Sequence, residues 1–285
     1  MKRKEHLTVE PAATADAHSL AAPLPEVSDL LDGLPRQRGP AAAPAPAGAR
    51  RAVRPWRLLP TPTGTPVTFV YAAVLAITSL VAAYASPALV DALQQGSSTD
   101  VAHLIRTPVL VLLASALWVA GGLVSPYAVC FLLVLTALER RIGGARAVVV
   151  FLLGHVLATL ATEGSVGLAV LAGHLPHTSL HRLDYGISFG VATAVGALAG
   201  LLGPWLRWPL LIPFGGMLVE DLIEFTDPMT NWGHLISLAI GVATWPLVRR
   251  WRQEALGARS QGVSTPRRVA RPSPTSPGST PWSRP

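Results

Sequence analysis

The stretch "RLDYGISFGVATAVGALAG" at residues 182–200 decides the fold of this chain. It contains the pattern Gly-x-Ser-x-Gly at 186–190, which is typical of turns that carry a nucleophilic serine, in this case Ser188. That turn needs a preceding strand, and no strand pattern comes before Asp184. The five-residue pattern alone is therefore weak evidence for a nucleophilic serine. The rest of the stretch is uncharged and made of small and apolar residues, as in a membrane helix. We therefore predict a membrane helix over 184–203, with Ser188 near its beginning.

The composition of the whole chain also indicates a membrane protein. Half of the 285 residues are hydrophobic, 14% are charged and the mean hydropathy is +0.42, whereas soluble domains carry about 25% charged residues. The net charge of +7 comes from Arg and Lys in the tails and at the ends of apolar runs. This distribution follows the positive-inside rule and does not indicate nucleic-acid binding. The single cysteine, Cys130, excludes an intramolecular disulfide and a cysteine-based zinc site.

The apolar runs predict an all-α, polytopic membrane protein with a bundle of six transmembrane helices. The predicted spans are residues 66–86, 121–138, 147–172, 184–203, 208–226 and 230–248. The apolar stretch over 107–138 is too long for one straight span and is broken near 121–126 by Gly and Pro. We interpret its first part as a membrane-embedded loop or half-helix. The alternative is a hairpin of two full spans, which would scatter arginines on both sides of the membrane.

The two ends of the chain differ in composition from its apolar centre. Residues 1–60 are rich in Pro and Ala, and residues 253–285 are rich in Pro, Ser and Arg. Both are predicted to be disordered tails of a membrane domain over 61–252. If there are six crossings, four groups of arginines fall on the side of the termini: those before the first span, between the second and third, between the fourth and fifth, and after the sixth. We therefore predict a multi-pass protein of the cell membrane with both termini in the cytoplasm.

Ionisable side chains are costly inside a bilayer, so each one is a candidate functional residue. On the predicted topology, most polar candidates lie in the outer half of the bundle: Glu163, Asp184, Ser188, Glu220, Asp221, Glu224 and His234. His155 is predicted to lie deeper in the third span, on one helix face with Thr159 and Thr162. A buried structural hydrogen bond is the alternative explanation for His155.

Two faces of small residues predict which spans pack together. They consist of Gly186, Gly190 and Ala194 in the fourth span and Gly233, Ser237 and Gly241 in the sixth. Such faces let helix backbones approach closely. If they meet, Ser188 and His234 lie at the same depth, and a serine beside an imidazole is a minimal nucleophile–base pair.

Three motifs and the predicted topology resemble the rhomboid intramembrane serine proteases and their rhomboid-like relatives. "ALERRIGG" at 137–144 resembles the end of the second rhomboid helix, "YGISFG" at 185–190 the serine motif of the fourth, and "NWGHLISLAIG" at 231–241 the histidine motif of the sixth. The resemblance covers about residues 66–248. It implies that Ser188 is the nucleophile and His234 the base, in a water-accessible cavity open to the outside. It also implies that the substrate is a transmembrane helix.

The chain departs from the rhomboid pattern where an oxyanion would be held. Family members usually carry a His and an Asn, four residues apart, in the second helix, and counting back from Glu139 gives Leu123 and Tyr127 at those positions. One oxyanion donor is worth about 10²–10³ in rate. Two hypotheses therefore stay open: an intramembrane serine protease, or a catalytically inactive rhomboid-like protein that binds the transmembrane helices of clients.

The acidic residues allow a further interpretation, because a serine–histidine pair does not require them. Asp184 is predicted to orient His234 as a third catalytic residue. Alternatively, the outer-half carboxylates, together with His234, belong to a metal- or proton-linked membrane protein. We predict no cofactor and no metal. The expected partners are the lipid bilayer and the transmembrane helices of substrate or client proteins, without nucleic acid.

Overall fold

The structure is a computed structural model that describes residues 58–263, so most of both predicted tails lies outside the described residues. All regular elements within that range are helical. They are α1 (Pro66–Tyr84), α2 (Pro87–Gly96), α3 (Val101–Arg106), α4 (Pro108–Ser115), α5 (Pro126–Cys130), α6 (Thr136–Ile142), α7 (Gly144–Leu171), α8 (Ser188–Leu201), α9 (Pro204–Glu224), α10 (Pro228–Ala243) and α11 (Trp245–Val263). A π-helical segment, Phe131–Leu135, joins α5 to α6, and a 3₁₀ helix, His177–His181, lies between α7 and α8.

The predicted all-α class is confirmed for the described part of the chain, and each predicted span overlaps at least one helix. By length and composition, α1 and α7 are apolar and long enough to cross a membrane, and α8 is a shorter apolar helix. The first half of the long apolar stretch forms only α4, with 8 residues. A full span needs about 20 residues, so α4 is a half-helix and the predicted hairpin alternative is not formed.

Helix α8 lies at the centre of the bundle, between α7 and α10, and nearly all its residues are buried. Its 14 residues extend about 21 Å at 1.5 Å per residue, which is less than the hydrocarbon thickness of about 30 Å. The close contact with α10 depends on glycine. A Cβ added to Gly196 would lie 2.6 Å from the Leu238 backbone oxygen, and one added to Gly241 would lie 2.2 Å from that of Thr193.

The two helices therefore meet through the predicted residues Ser237 and Gly241 of α10, but through different residues of α8 than predicted. Gly190 faces the Phe151 ring of α7 rather than α10, since an added Cβ would lie 2.4 Å from that ring. Gly186 lies before α8 in a turn with a φ of +128°, which favours glycine. The contact between α8 and α10 is made instead around Thr193, whose hydroxyl donates to the Ser237 backbone oxygen at 2.8 Å.

Donor side chains satisfy the carbonyl groups at the C-terminal end of α8. Arg207, Arg249 and Arg252 donate to backbone oxygens of residues 199–202 at 2.8–3.0 Å. The guanidinium groups of Arg207 and Arg249 also lie 4.8 and 5.2 Å from the centre of the Trp245 ring. A helix end leaves carbonyls without intrahelical partners, and cations are favourable there. These arginines, which the sequence analysis treated as topology signals, thus hold the end of the central helix.

Glu139 anchors the beginning of α1. Its carboxylate accepts hydrogen bonds from the backbone N–H groups of Val67 at 3.1 Å and Thr68 at 2.7 Å, and from the Thr68 hydroxyl at 2.6 Å. A carboxylate at a helix N-terminus satisfies free N–H groups and complements the helix dipole. The "ALERRIGG" motif therefore fastens the second predicted span to the first.

The predicted boundary of the C-terminal tail at residue 253 falls inside a helix. Helix α11 continues through Val263. Glu254 stabilises this extension, because its carboxylate pairs with Arg250 at 3.1 Å and with Arg146 of α7 at 2.7 Å. Residues 253–263 also contain no proline, so nothing in their composition stops the helix.

Candidate functional site

Ser188 is the first residue of α8, and the loop before it is attached to the end of α4. The Gly186 N–H donates to the Ser115 carbonyl at 3.0 Å, and the Ile187 N–H donates to that of Trp118 at 3.1 Å. Ser188 is half-buried, and its hydroxyl makes no hydrogen bond within the described residues. It lines a small polar cavity, which is bordered by Thr99, His155, Thr159, Asp184, Tyr185, Gly186, Ser188 and Phe189. The space open to the centre of a water molecule is about 10 Å³, which is about the volume that one water requires.

His155 reaches this cavity from α7 and is held by α4. Its Nε2 lies 3.0 Å from the Leu112 carbonyl oxygen and 3.1 Å from the Ser115 hydroxyl. Because a carbonyl only accepts, Nε2 carries the proton and Nδ1 has the free lone pair. Nδ1 is buried and has no partner among the described residues. His155 therefore makes a structural hydrogen bond on one side of its ring and leaves an unused acceptor on the other.

His234 lies between two aromatic rings. The Tyr127 ring stacks on it, with centroids 5.0 Å apart, and the Tyr127 hydroxyl lies 3.3 Å from Nδ1. The Phe189 ring meets it edge-on at 5.3 Å. Phe189 fits there because Gly233 has no side chain, and a Cβ at that position would lie 2.4 Å from the Phe189 ring. The residue after Ser188 thus occupies space beside the histidine, and the His234 Nε2 is buried without a partner in the described structure.

The predicted catalytic residues are distributed over two neighbouring environments. Ser188 and Asp184 border the cavity that also contains His155, and His234 lies with Tyr127 and Phe189. Within residues 58–263, no hydrogen bond joins Ser188 to His234 or Asp184 to His234. The carboxylate of Asp184 instead accepts from the Thr99 hydroxyl at 3.3 Å.

Glu163 and Asp184 belong to an ionic cluster around Arg182. The Arg182 guanidinium lies 2.5 Å from Glu163, 3.0 Å from Asp227 and 3.8 Å from Asp184. Burial by itself lowers the pKa of Arg182, but the hydrogen bond to Glu163 and the charges of the other two carboxylates raise it above its ordinary value. The cluster ties the loop before α8 to α7 and to the N-terminus of α10, which Asp227 caps. Arg182 and Asp227 were not among the predicted site residues, although an arginine beside the acidic residues of the predicted outer side was a usable signal.

The acids of α9 lie apart from this cluster. Glu220 and Glu224 are exposed, and Asp221 is half-buried. The Asp221 backbone oxygen accepts from the Asn231 side chain at 2.6 Å, which joins the end of α9 to α10. The described residues contain no group of three or more His, Cys, Asp or Glu side chains that is arranged to hold a metal ion. The metal hypothesis therefore has no ligand set in this part of the chain.

A short buried helix that begins at a serine packs against a helix that carries a histidine, which is the arrangement that the resemblance to rhomboid-like membrane proteins implies. The family model described as rhomboid-like protein matches residues 63–254, and the chain belongs to this family. No curated protein and no solved structure matches the chain. The family match confirms the resemblance predicted from the three motifs and places the protein in a membrane.

Proposed function

We propose that this chain is a multi-pass, rhomboid-like protein of the cell membrane that binds the transmembrane helices of client proteins without cleaving them. The observation that carries the proposal is the environment of His234. Its Nδ1 lies beside the Tyr127 hydroxyl, and Phe189 lies against its edge. A general base must come within hydrogen-bond reach of the nucleophile, and the Ser188 hydroxyl makes no such bond in the described structure.

The positions predicted to hold an oxyanion support the same proposal. Leu123 has no donor in its side chain, and the hydroxyl of Tyr127 is directed to His234 at 3.3 Å. Removing one oxyanion donor costs about 10²–10³ in rate. A site without either family side chain is therefore a poor hydrolase, while a helix-binding bundle needs neither.

The proposal includes a topology of six crossings by α1, the α5–α6 helix, α7, α8, α9 and α10, with both termini in the cytoplasm. The arginines at the C-terminal end of α8 and those of α6 and α11 support this orientation, because positive residues favour the cytoplasmic side. On this topology, Ser188 and the Arg182 cluster lie on the outer side of the bundle.

A fluorophosphonate probe tests the absence of hydrolysis. The full chain is reconstituted in lipid nanodiscs and labelled beside the Ser188→Ala and His234→Ala variants. We expect equal, background labelling of all three proteins, together with energy transfer from a labelled transmembrane peptide to the protein. Labelling that disappears in both variants would show an assembled serine–histidine pair and would refute the non-hydrolytic proposal. Absence of peptide association in the folded protein would refute the binding part.

Serine hydrolysis is the second candidate, and one observation favours it. The unbonded Ser188 hydroxyl lies at the N-terminus of the buried helix α8, where the helix dipole stabilises negative charge. Asp184 and His155 border the same cavity, and the His155 Nδ1 has no hydrogen-bond partner among the described residues. Adding His155→Ala to the labelling experiment separates the possible bases. Serine-dependent labelling that survives His234→Ala and is lost in His155→Ala would assign the base to His155.

A further inference from the structure

The outer half of α7 borders an apolar groove that is separate from the Ser188 cavity. The groove lies between α3, α7 and the 3₁₀ helix His177–His181, and its volume is about 610 Å³. Ligand sites have volumes of about 300–1,000 Å³. Ile105 and Leu168 on its walls are 78% and 69% exposed. Large apolar side chains with this exposure face lipid in a membrane protein, so the groove opens sideways into the bilayer.

A buried carboxylate lies at the polar end of the groove. Glu163 is one of its lining residues and is only 1% exposed. Its Oε1 accepts a hydrogen bond from Arg182 at 2.5 Å, whereas its Oε2 is buried and has no partner in the described part of the chain. A buried acceptor without a donor is costly, and ionisable groups at membrane depth are paired. We therefore expect a donor from another molecule to reach Oε2.

The charges around Glu163 indicate that this donor is a cation. One guanidinium, that of Arg182, lies within 3.8 Å of the carboxylates of Glu163, Asp184 and Asp227. One guanidinium therefore faces three carboxyl groups, and a second cation beside Glu163 complements whichever of these groups are ionised. A basic side chain supplies that cation and donates to Oε2, and charge-assisted hydrogen bonds of this kind are the strong ones.

The surface of α7 beside the groove is shaped for another helix. Ala161, Gly164 and Ser165 are exposed there, and a Cβ added to Gly164 would meet no atom within 4 Å. Small residues on a membrane-facing surface let a second helix backbone approach closely. A lipid chain gains little from such a surface, so the small residues favour a helix over a lipid as the occupant.

We propose that this groove binds the client, and that the client is a transmembrane helix with a Lys or Arg in its outer half, whose side chain pairs with Glu163. The inference rests on the proposed client-binding function and names the class of client. It also separates the binding site from the cavity at Ser188, because the groove is lined by α3 and α7 rather than by α8.

Two matched peptides test the inference with the full chain in phosphatidylcholine nanodiscs. One is an apolar transmembrane peptide with a single Lys in its outer half, and the other carries norleucine in place of the Lys. Energy transfer between labelled peptide and protein gives the two dissociation constants. We expect the Lys peptide to bind at least about ten-fold more tightly, as for a hydrogen bond to a charged group. Glu163→Gln is expected to reduce this difference to less than about two-fold.

Two glycine variants locate the binding surface without changing any charge. Gly164→Leu fills the groove and is expected to weaken both peptides at least about ten-fold, as the loss of a close helix contact requires. Gly216→Leu is the matched control, because Gly216 is an exposed glycine of α9 with no atom within 4 Å of an added Cβ. We expect Gly216→Leu to bind both peptides as the wild type does. Helical circular dichroism checks that each variant is folded.

The outcomes that would overturn the inference are distinct. Equal affinity for the two peptides, or weakening by Gly216→Leu but not by Gly164→Leu, would refute the Glu163 site and leave client binding intact. Failure of both peptides to bind would refute the client-binding proposal as well. Displacement of the Lys peptide by phosphatidylethanolamine would identify an amine-bearing lipid as the occupant instead of a helix.

Discussion

The close contact between α8 and α10 allows us to predict how much a substitution at Gly241 destabilises the protein. Replacement of Gly241 by Ala would place a methyl group 2.2 Å from the Thr193 backbone oxygen and 2.9 Å from the Gly196 Cα. Both neighbours are backbone atoms, so neither can rotate away as a flexible side chain would. The helices must move apart, and the hydrogen bond from the Thr193 hydroxyl to the Ser237 carbonyl, now 2.8 Å long, must lengthen.

The expected loss of stability follows from two costs and one opposing gain. Overpacking of a well-packed contact costs about 1–3 kcal/mol, and we take the middle of that range, about 2 kcal/mol, for this contact. Alanine recovers about 1 kcal/mol of helix propensity relative to glycine. We therefore expect Gly241→Ala to lower the free energy of unfolding by about 2 kcal/mol, since the lost Thr193 hydrogen bond adds about 1 kcal/mol to the cost. For a domain of this size, that corresponds to a melting temperature lower by about 4–8 °C.

Thermal unfolding in detergent, followed by helical circular dichroism, measures this effect. Gly216→Ala is the matched control, because an added Cβ meets nothing within 4 Å there. The control is expected to melt at the wild-type temperature or slightly above it, through helix propensity alone. If Gly241→Ala melts within about 1 °C of its control, the two backbones are not in close contact. The placement of His234 relative to α8 that depends on this contact would then be wrong.

Three further variants test the other contacts that hold the bundle together. Glu139→Gln is expected to lower the melting temperature by several degrees, because loss of the charge weakens the capping bonds to Thr68 and costs about 1–3 kcal/mol. Arg249→Met keeps the aliphatic part of the side chain but removes the donor to α8. It should be destabilising by about 1 kcal/mol, whereas Arg250→Met, at a side chain that is 78% exposed, should change the melting temperature by less than about 1 °C. Arg182→Met is expected to speed limited proteolysis of the loop before α8 several-fold, and unchanged cleavage would contradict the role of the ionic cluster.

The helices were predictable because their apolar runs are long and their starts carry local signals. Prolines at 66, 126, 204 and 228 each open a helix, at the position where the missing N–H costs nothing. Three of the predicted spans began a few residues away from these prolines, because their bounds were set by hydropathy rather than by the proline at the helix start. The extra length of α11 was missed for a related reason, because its polar composition resembles a tail until Glu254 is seen to pair with Arg146.

The contacts that orient the site were not predictable from spacing. The π segment Phe131–Leu135 lies between Tyr127 and Glu139. This segment changes the directions in which the side chains before it point, relative to those of a regular α-helix. A count back from Glu139 along regular turns therefore does not describe where Tyr127 points. The hydrogen bonds that Arg182 donates to Asp227 and that Thr68 donates to Glu139 join residues far apart in the sequence. The periodicity of a single sequence does not predict which distant residues form such hydrogen bonds.

Phe189 and Gly233 give a physical reason for the proposed absence of hydrolysis in this rhomboid-like bundle. Both motifs retain their serine and histidine, and the glycines between α8 and α10 hold these helices close together. Yet the Phe189 ring lies against the edge of His234, in space that is open because Gly233 has no side chain. Tyr127 covers one face of the His234 ring. The packing that brings the two motifs together therefore also encloses the histidine. Among the described residues, Glu163 Oε2 has no hydrogen-bond partner, and Glu163 lines the apolar groove between α3 and α7. Ionisable groups at membrane depth are costly and mark functional sites, so we propose that client binding depends on Glu163 rather than on Ser188.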